Sequence, residues 1–217
     1  MDPGMNQLLK WSIENSADAS ADPTSTTDPK AERPSGRPIN AGALNSLFGG
    51  PSDADLMKQS MAAILSPEIT LENKLVAFDN FEQLIETLDN ANNMENLGLW
   101  QPLVGLLGSD EAQLRMYAAW CVGTAVQNNE KSQSSLLAGD AIPTLVKLST
   151  EDSDEQVRRK AIYALSSEVR NYQPGLDKAV KALPKGLAPE GAIDAADMEA
   201  VDRVIGQLRE DSARKAS

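Results

Sequence analysis

Carboxylates are the most abundant side chains in this 217-residue sequence that could take part in chemistry. The chain carries 32 Asp and Glu residues against 20 Lys and Arg, and it has no histidine. The absence of histidine excludes histidine-ligated metals, Ser-His-Asp triads and Cys-His dyads. The acidic positions that fall in polar helical or loop patterns are Glu82, Glu86, Asp110, Glu111, Asp152 and Asp154. Such patterns are typical of solvated faces, so we expect no enzyme active site.

Three further features of the sequence lack the pattern of a ligand site. The acidic run at 151–155 lacks the glycine and the spaced ligands of a calcium loop. The Gly49-Gly50-Pro51 sequence indicates a turn rather than a phosphate loop. Cys121 lies in an apolar helical run, which favours a buried small hydrophobe and a reducing compartment. The sequence therefore predicts no metal and no cofactor.

The net charge of −12 restricts the possible partners. Nucleic acids and anionic membranes both require a basic surface, so we expect neither as a partner. Self-repulsion at this charge favours a soluble monomer. Met1-Asp2-Pro3 has no basic start, and no stretch approaches the roughly 20 apolar residues of a membrane helix. We therefore expect a cytoplasmic protein.

Helical periodicity begins at Ser52 and continues for more than a hundred residues. Apolar residues spaced by three and four predict helices over about 54–65 and 71–88. The polar stretch at 89–93, DNANN, is interpreted as a turn. No alternating apolar run is bounded by turn signals, so the predicted fold class is all-α.

An internal repeat determines how these helices are arranged. The segment at 114–129, LRMYAAWCVGTAVQNN, aligns with VRRKAIYALSSEVRNY at 157–172 at an offset of 43. A more diverged copy contains Ala77 to Asn80, and the stretch GDAIPTLVKL at 139–148 is similar to the armadillo consensus. A helical period of about 40–47 residues indicates an armadillo or HEAT array. We predict an armadillo-like, right-handed superhelical solenoid of about three repeats.

The predicted helix pairs are 54–66 with 70–88, 97–107 with 111–127, and 141–149 with 154–170, and the second helix of each pair would line the concave face. The predicted organisation of the chain is a short amphipathic segment at 1–16, a disordered linker at 17–43, the repeat domain at 44–172, a Pro/Gly-rich connection at 173–193, and a helix and tail at 194–217. We interpret the last helix, with Asp194 as its N-cap, as a cap on the stack.

Aromatic and amide side chains are the candidates for partner contacts. Trp100 is expected to pack in the core. Trp120 and Tyr163 share one repeat position, which fits either a repeated packing contact or an aromatic ladder on the concave face. The asparagines near helix ends are Asn90, Asn92, Asn93, Asn128, Asn129 and Asn171. They fit C-terminal caps, because Asn tolerates the left-handed conformation, or a polar rim for a partner, which the cluster at 89–93 favours more strongly.

The repeats resemble a known family. The stretch at 75–103, LVAFDNFEQLIETLDNANNMENLGLWQPL, is similar to the first armadillo repeat of the fungal nucleotide exchange factors for DnaK-type heat-shock chaperones. GTAVQNN at 123–129, VRRKAIYALSS at 157–167, LLKWSIENS at 8–16 and LFGG at 47–50 also resemble that family. Longer relatives carry at least one further repeat, which this chain replaces with the Pro/Gly-rich stretch and the terminal helix.

The resemblance implies a function without bond chemistry. The concave face would grip one lobe of the chaperone's ATPase domain, accelerate ADP release and so promote client release; effects on translation would follow indirectly. The predicted partner-binding residues are Asn90, Ala91, Asn92, Asn93, Thr124, Gln127, Asn128, Tyr163, Ser167 and Arg170. A large residue at Ala91 is expected to obstruct the interface.

Two alternatives accompany this interpretation. The family's N-terminal segment is thought to mimic a client, a role that the resemblance would give to Leu8, Leu9, Trp11 and Ile13, although plain N-terminal disorder fits equally well. The chain could also be a peptide-binding armadillo adaptor without exchange activity. That class carries a regular Trp/Asn ladder, whereas only Asn80 occupies the Asn position here and Thr124 and Ser167 replace it.

Overall fold

The structure, a computed structural model, describes residues 51–215, and every regular element within them is a helix. The helices are α1 (Asp53–Leu65), α2 (Leu71–Ile85), α3 (Leu88–Asn93), α4 (Trp100–Gly105), α5 (Ala112–Val126), α6 (Glu130–Ala138), α7 (Ala141–Glu151), α8 (Glu155–Val169), α9 (Gln173–Ala182) and α10 (Met198–Lys215), and a 3-10 turn at Leu106–Gly108 follows α4. None of these helices is long and apolar enough to cross a membrane. The predicted linker and the client-mimic residues, Leu8, Leu9, Trp11 and Ile13, lie outside the described residues.

Polar side chains mark where several helices begin. Thr70 accepts the backbone N–H of Asn73 at the start of α2. Asp154 accepts two backbone N–H groups at the start of α8, at 2.7 and 3.2 Å. These side chains satisfy donors that have no partner within the helix, and such caps stabilise a helix by about 1 kcal/mol each.

The long helices α2, α5 and α8 lie in succession, with α5 packed between α2 and α8. The shorter helices α7 and α9 also pack against α8, and α1 packs on α2. Their buried residues form one continuous hydrophobic core that includes Phe78, Val122 and Leu165. Trp100 and Cys121 belong to this core, as the sequence predicts.

An arginine joins the two aligned segments. Arg115 in α5 donates through Nε and Nη2 to both carboxylate oxygens of Asp152, at 2.7 and 3.0 Å. Its Nη1 donates to the carbonyls of Ser109 and Asp110, which precede α5. Paired Arg–carboxylate bonds of this kind combine charge with fixed geometry. The loop before α5 is thereby fixed to the loop before α8.

The helix α10 packs against α7 and α8 through Val201, Ile205 and Leu208. The structure corrects its predicted N-cap. Asp197, rather than Asp194, accepts the backbone N–H of Ala200, because the helix begins at Met198. Asp194 instead closes a tight turn with the N–H of Ala196.

Three predicted boundaries also change. The helix α2 ends at Ile85 rather than near Leu88. The DNANN stretch is the helix α3 and not a turn. The first part of the predicted connection at 173–193 is the helix α9, because Pro174 lies in its first turn, where a missing N–H costs nothing, and because Leu176 and Ala179 are buried.

Candidate partner-binding groove

The close approach of α5 and α8 depends on a glycine. A Cβ atom at Gly123 would lie 2.5 Å from two ring carbons of Tyr163 and 3.1 Å from the Cα of Ala164. Ala118, Ala125 and Ala161 are fully or almost fully buried on the same helices. Small side chains therefore let the two backbones come together and bring the ring of Tyr163 over α5.

A groove of about 530 Å³ crosses α2, α5 and α8. Its lining residues are Glu82, Glu86, Trp120, Thr124, Gln127, Asn128 and Tyr163. We call it the central groove. It unites four of the predicted partner-binding residues, Thr124, Gln127, Asn128 and Tyr163, which are separated by up to 39 positions in the chain.

Hydrogen bonds between helices fix the walls of the central groove. The hydroxyl of Thr124 donates to Oε1 of Glu82 at 2.7 Å, which connects α5 to α2. The hydroxyl of Tyr163 donates to Oε1 of Gln127 at 3.1 Å, which connects α8 to α5. The groove is therefore held in shape without a partner, and less ordering is required when one binds.

A lysine contacts the two aromatic rings that line the groove, Trp120 and Tyr163. The ammonium of Lys160 lies 3.6 Å from the ring centroid of Trp120 and 5.8 Å from that of Tyr163. Burial lowers the pKa of Lys160, and the nearby Glu82 carboxylate opposes that shift. The rings of Phe78, Tyr117 and Trp120 follow one another at centroid distances of 5.4 and 5.6 Å. Trp120 thus rests on a packed aromatic row while it borders the groove.

The asparagines differ in their structural roles. Asn129 corrects the predicted C-terminal cap, because its side chain accepts the backbone N–H of Ser132 and caps the start of α6. Asn128 and Asn171 adopt positive φ angles of 53° and 55°, so the predicted left-handed caps are confirmed for these two. Asn90 donates to the carbonyl of Leu84 and to the carboxylate of Asp53, both at 2.9 Å. Asn93 accepts from Asn96. Oδ1 of Asn92 is buried and has no hydrogen-bond partner within residues 51–215.

Ala91, a predicted partner contact, is buried in the structure. Ala91 is only 3% exposed and belongs to the hydrophobic core beneath α3. Neither Ala91 nor its three asparagine neighbours lines the central groove. The burial arises because the 89–93 segment is helical and turns its one small apolar residue inward. An arginine at this position would disturb the fold before it obstructed a partner.

Two further predicted residues do not line the groove. Ser167 is 8% exposed. Arg170 donates to Ser166 and to Met198 and forms an ion pair with Asp202, so it contacts α10. Arg170 is thus engaged by α10, and neither residue lines the central groove with Thr124 and Tyr163.

Two family models match the chain. The model described as nucleotide exchange factor Fes1 matches residues 5–94, and the model described as the SIL1/FES1/HPBP1 C-terminal domain matches residues 90–181. The chain belongs to the Fes1 family. Of the central groove, Glu82 and Glu86 fall in the first match and the other five residues in the second. The helix α10 lies beyond both matches.

Several fungal relatives are described as Hsp70 nucleotide exchange factors. One from Coccidioides immitis is 54% identical over 97% of this chain and 99% of its own length. One from Gibberella zeae is also 54% identical, over 96% of this chain and 97% of its own length. One from Eremothecium gossypii is 52% identical over 77% of this chain but only 55% of its own length. Relatives in the Fes1 family thus differ in length, and this chain matches the short kind along nearly all of it.

The fold resembles that of an engineered protein known from a crystal structure. The TM-score is 0.52 at 18% sequence identity, over 80% of this chain and 71% of that protein. At this identity the likeness concerns the fold alone. The predicted all-helical solenoid is confirmed at that level.

Three residues of the site escaped sequence reasoning. Glu82 was assigned to a solvated face, but it is 7% exposed and bound by Thr124, so that assignment is wrong. The sequence does not distinguish packing from an aromatic ladder for Trp120, and it gives no indication of the contact between Lys160 and Trp120. The shared repeat position of Trp120 and Tyr163, with a lysine three residues before the latter, was the available signal. Within residues 51–215 no group of acidic or cysteine side chains could hold a metal ion.

Proposed function

We propose that this chain is a nucleotide exchange factor that binds the ATPase domain of an Hsp70-type chaperone and accelerates the release of ADP. Membership of the Fes1 family and the central groove support this proposal. The central groove is the main support for the position of the binding site. It crosses three successive long helices and presents polar and aromatic side chains in fixed positions. The protein acts by binding, and it is not an enzyme.

The mechanism follows from linkage between two binding events. A protein that binds the open form of an ATPase lobe more tightly than the ADP-closed form must weaken ADP binding by the same factor. A tenfold preference corresponds to about 1.4 kcal/mol. The exchange factor need only be rigid enough to favour one arrangement of the lobe.

The contacts around the groove provide that rigidity. Arg115 fixes the loops before α5 and α8 to one another through Asp152. Thr124 and Tyr163 join the long helices across the groove. A rigid clamp of this kind does not change its shape to fit the ADP-closed lobe of the ATPase domain. Its binding energy therefore favours the open form of that lobe.

The test is release of a fluorescent ADP analogue from a purified Hsp70 ATPase domain. We would compare the wild type with Gln127→Arg, which places a bulky charge at an exposed position of the central groove. The matched control is Gln113→Arg, at an exposed position outside the groove in the first turn of α5, the helix that ends just before Gln127. We expect strong acceleration by the wild type and by Gln113→Arg, and at least a tenfold loss for Gln127→Arg.

The other results are equally informative. A folded wild type that leaves ADP release unchanged would contradict the exchange function. If it still bound the chaperone, the adaptor alternative would be favoured. Equal activity of both variants would move the interface away from the central groove.

Three expectations accompany the proposal. The protein is a cytoplasmic monomer, in keeping with its net charge of −12. The segment with Leu8, Leu9, Trp11 and Ile13 acts as a client mimic and would be tested by its deletion. A deletion that leaves ADP release intact but slows client release would support that role.

A further inference from the structure

A second groove, of about 510 Å³, lies beside the central groove, between α8 and α10. Arg159, Ile162 and Tyr163 line it from α8, and Arg209 and Ala213 line it from α10. We call it the arginine groove. Tyr163 borders both grooves, so a partner that covers this ring reaches into each of them.

The arginine groove is locally basic in an acidic protein. Arg159 and Arg209 are both exposed. The one carboxylate in the lining, Glu155, lies 4.0 Å from Arg159, and these two side chains are 48% and 65% exposed, so the pair is loose. Arg209 forms no ion pair with any residue within 51–215. Two guanidinium groups are therefore available at the surface of a chain whose net charge is −12.

The base of this groove is fixed. Ile162 is 2% exposed and forms an apolar floor. Arg158, which is 2% exposed, donates from Nε to the hydroxyl of Ser212 and from Nη2 to its carbonyl, both at 3.0 Å. These bonds hold α10 against α8, so the backbone positions from which the two exposed arginines extend are set by the fold.

We propose that the arginine groove binds an acidic patch of the chaperone's ATPase domain while the central groove binds the adjoining surface. The inference rests on the proposed function. Guanidinium groups pair with carboxylates through two parallel N–H···O bonds, which fixes direction as well as strength. This chain has a net negative charge, so most of its surface repels an acidic patch on the chaperone. The two exposed arginines make the arginine groove the favourable position for that patch.

The arrangement also orients the partner along the stack. Glu86 is exposed at the α2 side of the central groove, whereas Arg159 and Arg209 lie at the far side of Tyr163. The complementary partner surface is basic opposite α2 and acidic opposite α8 and α10. A reversed orientation would place like charges together, which is disfavoured. The terminal helix thus takes part in recognition in addition to covering the core.

The test is the association rate constant with a purified Hsp70 ATPase domain carrying a fluorescent ADP analogue. The variants are Arg209→Glu, Arg209→Gln and Arg209→Lys, and the control is Lys147→Glu, an equal change of charge at an exposed position of α7 outside both grooves. At about 0.05 M salt we expect Arg209→Glu to lower the rate constant about tenfold, Arg209→Gln to lower it less, and Arg209→Lys to keep most of it. The differences should shrink at about 0.5 M salt.

The outcomes separate this inference from the function on which it rests. If the wild type accelerates ADP release and Arg209→Glu associates at the same rate as Lys147→Glu, the arginine groove is not part of the interface and the exchange function stands. If the wild type fails to accelerate release, both proposals fall. Because Arg209 is exposed, all variants should keep the wild-type helical content and melting temperature, and Arg209→Gln tests the loss of charge without adding an acidic group.

Discussion

Arg158 holds Ser212 of the last helix in the same way that Arg115 holds Asp152 one repeat earlier. In both cases Nη1 donates to two carbonyls of the preceding loop, at positions 109 and 110 for Arg115 and at 152 and 153 for Arg158. In both cases Nε and Nη2 bind the next element of the stack. The offset of 43 residues in the sequence is therefore an offset between two equivalent structural joints.

Removal of the carboxylate at Asp152 should weaken the stack strongly. The side chains of Arg115 and Asp152 are 14% and 5% exposed, so Asp152→Ala would leave a largely buried guanidinium without its carboxylate. We expect the free energy of unfolding to fall by about 3 kcal/mol in urea denaturation. The control Glu155→Ala removes an exposed pair with Arg159 and should cost less than about 1 kcal/mol. Equal losses for the two variants would contradict this account of the joint.

The glycine between α5 and α8 offers a second prediction. Gly123→Ala would place a methyl group against the ring of Tyr163. We expect the free energy of unfolding to fall by about 1–3 kcal/mol. We also expect the variant to accelerate nucleotide release from the chaperone less than the wild type does. Gly105→Ala is the control, because within residues 51–215 an added Cβ would meet no atom within 4 Å beyond its chain neighbours and its own helix backbone, and alanine favours helix by up to about 1 kcal/mol. A Gly123→Ala variant as stable as Gly105→Ala would show that the helices can separate without cost.

The carboxyl group of Glu168 predicts a pH dependence. It is fully buried, neither oxygen has a hydrogen-bond partner within residues 51–215, and burial raises its pKa from 4.5 to about 9, against an opposing effect of Lys178. Below pH about 4.5 the folded and unfolded states both keep the proton. Above it only the unfolded state ionises, so the free energy of unfolding falls as the pH rises, by up to about 1.4 kcal/mol per unit until the folded pKa is reached.

Glu168→Gln should therefore be more stable than the wild type at pH 7, and the difference should grow between pH 5 and pH 8. Urea denaturation across that range measures it. The exposed Glu151→Gln serves as control and should follow the wild type. A difference for Glu168→Gln that does not change with pH would mean that Glu168 is ionised in the folded state.

Ala91→Arg should act on the fold. Ala91 is 3% exposed, and an arginine there must overpack the core and bury a charge, at an expected cost of more than about 3 kcal/mol. Leu88→Arg is the control in the same helix, because Leu88 is 58% exposed and its replacement should be tolerated. Thermal melting followed by circular dichroism separates the two. A wild-type melting temperature for Ala91→Arg would restore the surface contact that the sequence predicted.

The repeat offset accounts for most of what the sequence could predict. The alignment of Arg115 with Arg158 and of Trp120 with Tyr163 placed α5 and α8 in equivalent positions, and the two asparagines at positive φ followed from the preferences of that residue. The role of Glu82 could not be predicted, because its partner Thr124 is 42 positions away and lies on another helix. The local pattern of residues shows which face of one helix is apolar. A buried hydrogen bond between helices depends on residues from two helices, which are far apart in the sequence.

The short helices were missed for a related reason. The stretch at 88–93 has one small apolar residue, and α9 begins with a proline and a glycine, so neither shows a clear helical period. Their helical form depends on packing against neighbours, for which Gly175 leaves room. A Cβ at Gly175 would lie 2.8 Å from Oε1 of Glu168.

The Arg158–Ser212 joint has a consequence for the length of such arrays. The same guanidinium geometry accepts a carboxylate from a further repeat or a hydroxyl and a carbonyl from a single helix. A chain can therefore be extended or terminated at this joint without redesign of the repeat that precedes it. Gain and loss of terminal repeats would then require change on only one side of the joint, which is consistent with relatives that differ in length.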